Sequence, residues 1–256
     1  AVPVWFDELH VGDVSVAGDG ALGFAYTKNW LATRGAFPLS VTLPLEDAIF
    51  PSDRISPWLA GLLPEEEQLT VITRSLGLDR SDTLAILAEI GGDTAGALSF
   101  GEPSRHSEWA YTPLTQLYGL DDPQAALERH FEDLAKRPFF VGEEGVRLSL
   151  AGGQKKSALA VLGPDGAPVL RLPQEGDRLA VPRHGAPSTL ILKPDNPILP
   201  GIVENETYCL SLAAAIGIAS AEVTILPAGT RSAICVLRND RRIGRSGALQ
   251  RVHQED

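Results

Sequence analysis

Alternating hydrophobic and polar positions open the chain and predict a set of short β-strands. Successive side chains of a strand point to opposite faces, so alternation places every second residue on a buried face. This pattern occurs in residues 2–6, 11–16, 22–26 and 39–43. The spacing then changes to three and four residues, which predicts helices at residues 64–76 and 82–90, before residues 94–100 return to strand. The first hundred residues are therefore predicted to form a β-then-α domain.

The rest of the chain begins with a segment that predicts a connector, residues 101–120, in which prolines and a glycine interrupt any period. A helix is predicted to begin at Pro123, because Leu127, Phe131 and Leu134 share one face. Short strands are predicted at residues 146–150, 157–162, 169–172 and 189–193, then a helix at residues 203–214 and strands at 222–226 and 233–237.

Charge is distributed unevenly along the 256 residues, whose formal net charge is −11. Residues 1–138 hold 21 acidic and 9 basic side chains, whereas residues 139–256 hold 12 and 13. The acidic half argues against direct binding to a nucleic-acid backbone, which needs clustered Lys and Arg, while the second half can hold a local phosphate site. We therefore expect an N-terminal domain at residues 1–102, a linker and helix at 103–138, and a second domain at 139–256.

The two cysteines, Cys209 and Cys235, lie in apolar surroundings and far apart, which favours buried free thiols over a disulfide. No basic-then-apolar leader opens the chain. The most apolar helical segment, residues 210–221, is shorter than the roughly 18–20 residues that span a bilayer. These features predict a cytoplasmic protein with no membrane partner.

A glycine-rich segment in the second domain is the first candidate for chemistry, with the sequence Arg147-Leu148-Ser149-Leu150-Ala151-Gly152-Gly153-Gln154-Lys155-Lys156-Ser157. Glycines let backbone N–H groups approach phosphate oxygens closely, and the two lysines add positive charge. An ordinary β-hairpin with a solvated basic tip is the alternative. The segment is neither a Walker A loop nor a Rossmann turn, since the spacing of both is absent.

A lysine at a strand end and glutamates on the following helix form the second candidate. Lys193 ends an apolar strand, and Glu204 and Glu206 lie near the start of the next helix. Kinases use a strand lysine to contact nucleotide phosphates and a helix glutamate to orient that lysine. The alternative is a surface lysine, with glutamates favoured by the helix dipole. The order loop, lysine, helix makes phosphoryl transfer a serious candidate.

These segments match a known family in order. The run from Leu148 to Lys156 resembles the glycine-rich segment of HipA kinases, and Glu204-Asn205-Glu206-Thr207-Tyr208-Cys209 resembles the helix after their nucleotide lysine. Further segments that resemble the family are residues 38–45, 62–64, 90–97, 240–242 and 253–256. The resemblance covers essentially the whole chain, and it is to the N-terminal part of a serine/threonine protein kinase that serves as the toxin of a bacterial toxin–antitoxin pair.

The resemblance implies an α+β fold, in which a small N-terminal β/α domain precedes the nucleotide-binding N-lobe of a protein-kinase-like (HipA, PI3/4-kinase-like) fold. It implies ATP and Mg²⁺ as cofactors, with Glu206 orienting the nucleotide lysine and Ser149 as the autophosphorylated serine that shuts the kinase off. The nucleotide-binding residues that it implies are Ala151, Gly152, Gly153, Gln154, Lys155, Lys156, Lys193, Leu237 and Asn239, the last two in a hinge beside adenine.

The resemblance also implies partners. Members of the family phosphorylate a translation component, in the best-known case an aminoacyl-tRNA synthetase, and so arrest growth. Their antitoxin is a HipB-like helix-turn-helix protein that binds operator DNA, so contact with DNA is expected only through the antitoxin.

Two departures from the family pattern change what is expected of this chain. The hinge has Leu237 and Asn239 where the family has an acidic and an aromatic residue. The family's catalytic aspartates and metal ligands are expected beyond Asp256, so the 256-residue chain alone is predicted to lack kinase activity. The alternative is a non-catalytic binding module that engages the antitoxin or a full-length kinase.

Overall fold

The computed structural model describes residues 1–101, 105–134, 136–245 and 247–255. The expected boundary at residue 102, the connector residues Pro103 and Ser104, and Asp256 lie outside these described residues. The chain is a mixed α/β protein built on two sheets, and the pairings between its described strands are antiparallel. One contiguous hydrophobic cluster runs through both sheets.

The first sheet has five strands in the order β4-β3-β2-β1-β5. Its strands are β1 (Val2–Phe6), β2 (Leu9–Val16), β3 (Leu22–Tyr26), β4 (Ile49–Pro51) and β5 (Leu98–Phe100). Four helices accompany it: α1 (Lys28–Ala32), α2 (Ser52–Ala60), α3 (Glu66–Leu76) and α4 (Thr83–Ile90). Trp58 of α2 packs against Phe24 and Phe100, with ring centroids 6.2 and 5.8 Å away, so helix and sheet share one aromatic core.

The two predicted helices of this domain are confirmed, and their ends follow local rules. Asp82 caps α4 by accepting a hydrogen bond from the Ala85 N–H. Gly77 ends α3 in the left-handed region, at a φ of 68°, where a side chain would be strained.

The second sheet follows the order β11-β12-β10-β7-β9-β6, with β8 paired to β7. Its strands are β6 (Ala110–Pro113), β7 (Ser157–Leu162), β8 (Pro168–Val169), β9 (Arg178–Arg183), β10 (Leu190–Pro194), β11 (Val223–Ala228) and β12 (Arg231–Leu237). The remaining elements are helices α5 (Leu114–Tyr118), α6 (Pro123–Leu134) and α7 (Ile202–Ala215), a hairpin of β13 (Arg241–Ile243) and β14 (Leu249–Arg251), and 3₁₀ turns at His106–Glu108 and Pro138–Phe140.

Three predictions of local structure are wrong, and the strand predicted at residues 169–172 is shortened, since β8 ends at Val169. Residues 39–43 form a tight turn closed by the Leu43 N–H and the Ser40 carbonyl, and the exposed tip is Val41. The expected connector at 101–120 contains β6, which pairs with β9, and helix α5. Residues 146–150 are extended, but their backbone bonds to the loop at Asp93 and forms no regular ladder. In each case a contact distant in sequence accompanies the change: the Val41 N–H donates to the Glu255 carboxylate at 2.9 Å, β6 pairs with β9, and residues 146–150 bond to Asp93.

The cysteines are both free, as expected, but only Cys235 is buried. Cys209 lies on the outer face of α7, so its predicted burial is wrong. Within the described ranges, no helix combines the length and the apolarity needed to cross a bilayer.

A buried ionic network centred on Asp93 joins the loop before β5 to the segment after β12. The Asp93 carboxylate accepts hydrogen bonds from Arg241 at 2.7 Å, from Arg251 at 2.9 Å and from the Ser188 hydroxyl at 2.7 Å. Burial alone would raise the pKa of Asp93, but the three nearby arginines hold it below its usual range. The carboxylate is therefore ionised throughout the physiological pH range.

The second acid of this network is Asp240, which bonds to Arg238 at 2.8 Å, to Arg241 at 3.0 Å and to the Gly96 N–H at 2.7 Å. Arg238 also donates to the Thr94 carbonyl. The network has five charged members, each less than 5% exposed: Asp93, Asp240, Arg238, Arg241 and Arg251. Such a network depends on every partner, because a buried charge that loses its partner is strongly destabilising.

We expect Asp93→Asn to lower the free energy of unfolding by about 3–5 kcal/mol, because it leaves three buried arginines opposite one remaining acid of the network. Urea denaturation measures the loss. The control is Asp47→Asn at an exposed position, which we expect to change stability by less than about 0.5 kcal/mol. Equal stability of the two variants would show that the network does not join the two parts of the fold.

A buried histidine gives the fold a pH dependence. His130 of α6 stacks on Phe140 with centroids 4.8 Å apart, and its Nδ1 lies 3.2 Å from the Tyr118 hydroxyl. Burial lowers the pKa of His130 to about 3. The ring is therefore neutral in the fold, whereas the unfolded chain takes up a proton near pH 6.5, so stability decreases as the pH falls below that value.

Between pH 7 and pH 5 we expect His130 to remove about 2 kcal/mol of stability. His130→Gln should lose this part of the pH dependence, measured by urea denaturation at both pH values. Phe131→Leu, on the same helix and also buried, is the control for destabilisation without a titrating group. An unchanged pH slope in His130→Gln would contradict the assignment.

Candidate functional site

A cavity of about 280 Å³ opens between β10, β12 and the segment before β7. The residues that line it are Ala95, Leu150, Ala151, Lys156, Ile191, Lys193, Ala221, Val236, Leu237, Arg238, Asn239, Asp240 and Gln254. Its volume is close to the lower end of the roughly 300–1,000 Å³ of small-molecule sites. The cavity brings together five residues of the predicted nucleotide site: Ala151, Lys156, Lys193, Leu237 and Asn239.

Lys193 and Glu206 form an ion pair at the side of this cavity, with Nζ 2.6 Å from Oε1. Lys193 alternates with the buried Leu192 on β10, so it points to the face of the sheet opposite the core. Helix α7 packs beside β11 and β12 and presents Glu206 from its second turn. Both side chains are about one-quarter exposed, at 23% and 25%, so a ligand can reach the lysine.

The expected hinge borders the cavity, but several of its polar groups already bond to other groups of the protein. The Leu237 N–H donates to the Glu222 carbonyl at 2.9 Å. The Arg238 guanidinium is buried against Asp240. The Leu237 side chain lines the cavity, and Asn239 is exposed beside it. A purine in this cavity would therefore meet an apolar wall at Leu237 and an amide at Asn239.

The glycine loop, residues 151–156, lies at the edge of the cavity. Lys156 is largely buried and donates to the Ala151 carbonyl, so its ammonium folds back over the loop. Gly152 has a φ of +97°, a backbone conformation in which a side chain would be strained, so glycine is favoured at this position. Gly153 and Lys155 are exposed and, with Gln154, lie outside the cavity lining.

The N-terminal domain packs against one side of this loop. The buried Ser149 hydroxyl donates to the Leu62 carbonyl at 2.6 Å, and Gly152 makes a parallel bridge to Pro64. From α3, Gln68 Nε2 lies 3.0 Å from the Gln154 carbonyl, with two further carbonyls at 3.3 and 3.4 Å.

Reasoning from the sequence did not predict this contact between the N-terminal domain and the loop, because the first domain showed no chemistry of its own. One signal was present: Gln68 lies four residues before Ile72 and therefore on the buried stripe of α3. A polar residue at a core-facing position needs a partner.

The residues present fit a phosphate-bearing ligand better than they fit a metal. Lys156 and Lys193, which both line the cavity, provide positive charge for an anion. In the part of the chain that the structure describes, no group of three or more His, Cys, Asp or Glu is placed to hold a metal ion. No Mg²⁺ ligand is therefore assigned to these residues.

Comparison with known proteins connects this architecture to one family. Residues 2–101 match the HipA N-terminal domain, and residues 148–256 match the HipA-like C-terminal domain. The chain is 38% identical over 254 residues to the putative kinase Y4mE of Sinorhizobium fredii, covering 99% of this chain and 57% of that protein. It is 33% identical over 244 residues to the serine/threonine-protein kinase toxin HipA of Shewanella oneidensis, covering 92% and 50% respectively.

A solved structure agrees with these matches. The Shewanella oneidensis HipA, HipB and operator DNA complex contains a chain that superposes on this one with a TM-score of 0.72 at 28% identity, covering 99% of this chain and 54% of that one. The chain spans about half the length of the relatives that it matches. Three findings agree: two domain matches in the right order, relatives at 33–38% identity, and the shared fold. Together they show that the chain belongs to the HipA family.

Proposed function

We propose that this chain is the nucleotide-binding part of a HipA-type serine/threonine protein kinase toxin and that it binds ATP in the cavity beside Lys193. The observation that carries the proposal is the Lys193–Glu206 ion pair, which lies at a cavity that Ala151 and Lys156 of the glycine loop also line. Relatives named as kinases support it.

In this proposal, Lys193 contacts the nucleotide phosphates and Glu206 fixes the position of the ammonium group. A charge-assisted hydrogen bond to phosphate is stronger than a neutral one, so Lys193 is expected to contribute much of the affinity. ATP, when bound, would supply the phosphoryl group. The chain's own residues hold the nucleotide, with Leu237 and Asn239 beside the base.

The finer parts of the proposal concern substrate and partner. We propose a translation component as the phosphorylated protein, an aminoacyl-tRNA synthetase being the candidate, with growth arrest as the result and the cytoplasm as the place of action. The solved neighbour is a complex of HipA with HipB and operator DNA, which supports a HipB-like antitoxin as partner and contact with DNA through it.

We expect Lys193→Met to weaken ATP binding about tenfold or more, because it removes the charge that meets the phosphates. Isothermal titration calorimetry on the 256-residue chain measures this. The matched control is Lys28→Met at an exposed position of α1, which should bind ATP as the wild type does. ATP affinity that is unchanged in Lys193→Met would overturn the proposed site, and a wild-type chain without ATP binding would favour the non-catalytic binding module.

We also propose Ser149 as a phosphorylation switch. Its hydroxyl is fully buried and donates to the Leu62 carbonyl. A phosphoserine carries about −1.5 to −2 charges and has no room at this buried position, so it would displace the loop from the N-terminal domain. The glycines of the loop would then leave the edge of the cavity.

Ser149→Asp should accordingly weaken ATP binding about tenfold or more, whereas Ser149→Ala should retain affinity within about threefold, because alanine removes only one hydrogen bond. Ser157→Ala, which removes another fully buried hydroxyl, is the control for loss of a buried oxygen. Thermal unfolding shows whether each variant is folded. Equal ATP affinity of folded Ser149→Asp and Ser149→Ala would refute the switch.

A further inference from the structure

Gln68 makes a long-range side-chain contact to the glycine loop. It lies on α3 of the N-terminal domain, some 84 to 86 positions before the carbonyls that it faces. The side chain is 4% exposed, so its amide group has to find its partners within the protein.

The three groups around the Gln68 amide are the carbonyl oxygens of Gly152, Gly153 and Gln154. A carbonyl oxygen only accepts, so the NH₂ group of Gln68 and not its oxygen faces the loop. Two N–H hydrogens serve three acceptors. The bond to Gln154 at 3.0 Å is the shortest, and the carbonyls of Gly153 and Gly152 lie at 3.3 and 3.4 Å.

This arrangement fixes the direction of three consecutive peptide units. In a trans peptide, the carbonyl and the N–H of the next residue point in opposite directions. Carbonyls turned towards Gln68 therefore turn the N–H groups of Gly153, Gln154 and Lys155 away from the N-terminal domain. Consecutive N–H groups on one side of a loop form a concave site for an anion.

We propose that Gln68 is a positioning residue, which orients the backbone of the glycine loop so that its N–H groups receive the phosphates of the nucleotide. The inference rests on the proposed function, since it assigns a determinant of phosphate affinity to the same site. Glycine at positions 152 and 153 lets the loop adopt many conformations, and the Gln68 amide selects one of them. Through Gln68 the N-terminal domain thus takes part in nucleotide binding by a side chain that does not itself line the cavity.

The test uses ¹⁵N-labelled full chain in three forms: wild type, Gln68→Leu, which keeps the size but removes the donors, and Thr73→Val as a control. Thr73 is buried on the same helix and its hydroxyl bonds within the helix, to the Thr70 carbonyl. Each form is titrated with ATP and with adenosine, which lacks phosphates. Heteronuclear NOE values report the mobility of residues 153–155.

We expect Gln68→Leu to bind ATP about three- to tenfold more weakly, the effect of losing one buried hydrogen-bonding group and the order that it imposes. Its affinity for adenosine should stay within about twofold of the wild type, and the NOE values at residues 153–155 should fall. Thr73→Val should match the wild type in all three measurements.

Equal losses for ATP and adenosine would indicate general damage to the domain and overturn the inference. Unchanged NOE values at residues 153–155 would overturn it as well, whether or not nucleotide binds. A wild type that binds adenosine and ATP equally would instead refute phosphate recognition at the loop. A wild type that binds neither would refute the proposed function and with it the effect on affinity, while the NOE values would still decide whether Gln68 orders the loop.

Discussion

The carboxylate of Asp93 is the point on which the two halves of the structure depend. It is buried, and it meets Arg241 and Arg251 from the hairpin after β12 and Ser188 from the turn before β10. Burying ions costs several kcal/mol each, and only close pairing offsets that cost. The loop of the first domain and the end of the second sheet therefore have a single relative placement in which all the charges are satisfied.

The backbone of the same residue holds the segment that leads into the glycine loop. The Asp93 N–H donates to the Arg147 carbonyl at 2.8 Å, and its carbonyl accepts from the Ser149 N–H at 3.1 Å. The Ser149 hydroxyl then reaches Leu62, and Gln68, six residues after Leu62, meets the loop. The position of the candidate phosphate site is thus determined by the first domain, although the Lys193–Glu206 pair belongs to the second.

This arrangement explains why some segments resemble the family although their residues indicate no chemistry. Three of these segments are far apart in the chain but adjacent in the fold: residues 90–97, 240–242 and 253–255. Gly96 shows how tightly they pack: it has a φ of +82°, and a Cβ there would lie 2.9 Å from the Gln254 carbonyl. These segments hold the two domains together, and Ala95, Asp240 and Gln254 of them also line the cavity.

The sequence alone determined most of the elements with clear periodicity, such as α3, α4, α6, α7 and β10, together with the order of loop, lysine and helix glutamate. Only the tertiary structure decided that residues 146–150 pair with Asp93 in place of a ladder, that Cys209 faces outward, and that Gln68 reaches the glycine loop. Periodicity records which face of an element is apolar, because burial acts on each side chain locally. It does not record which distant element supplies the partner of a buried polar group, since that choice exists only once the chain has folded.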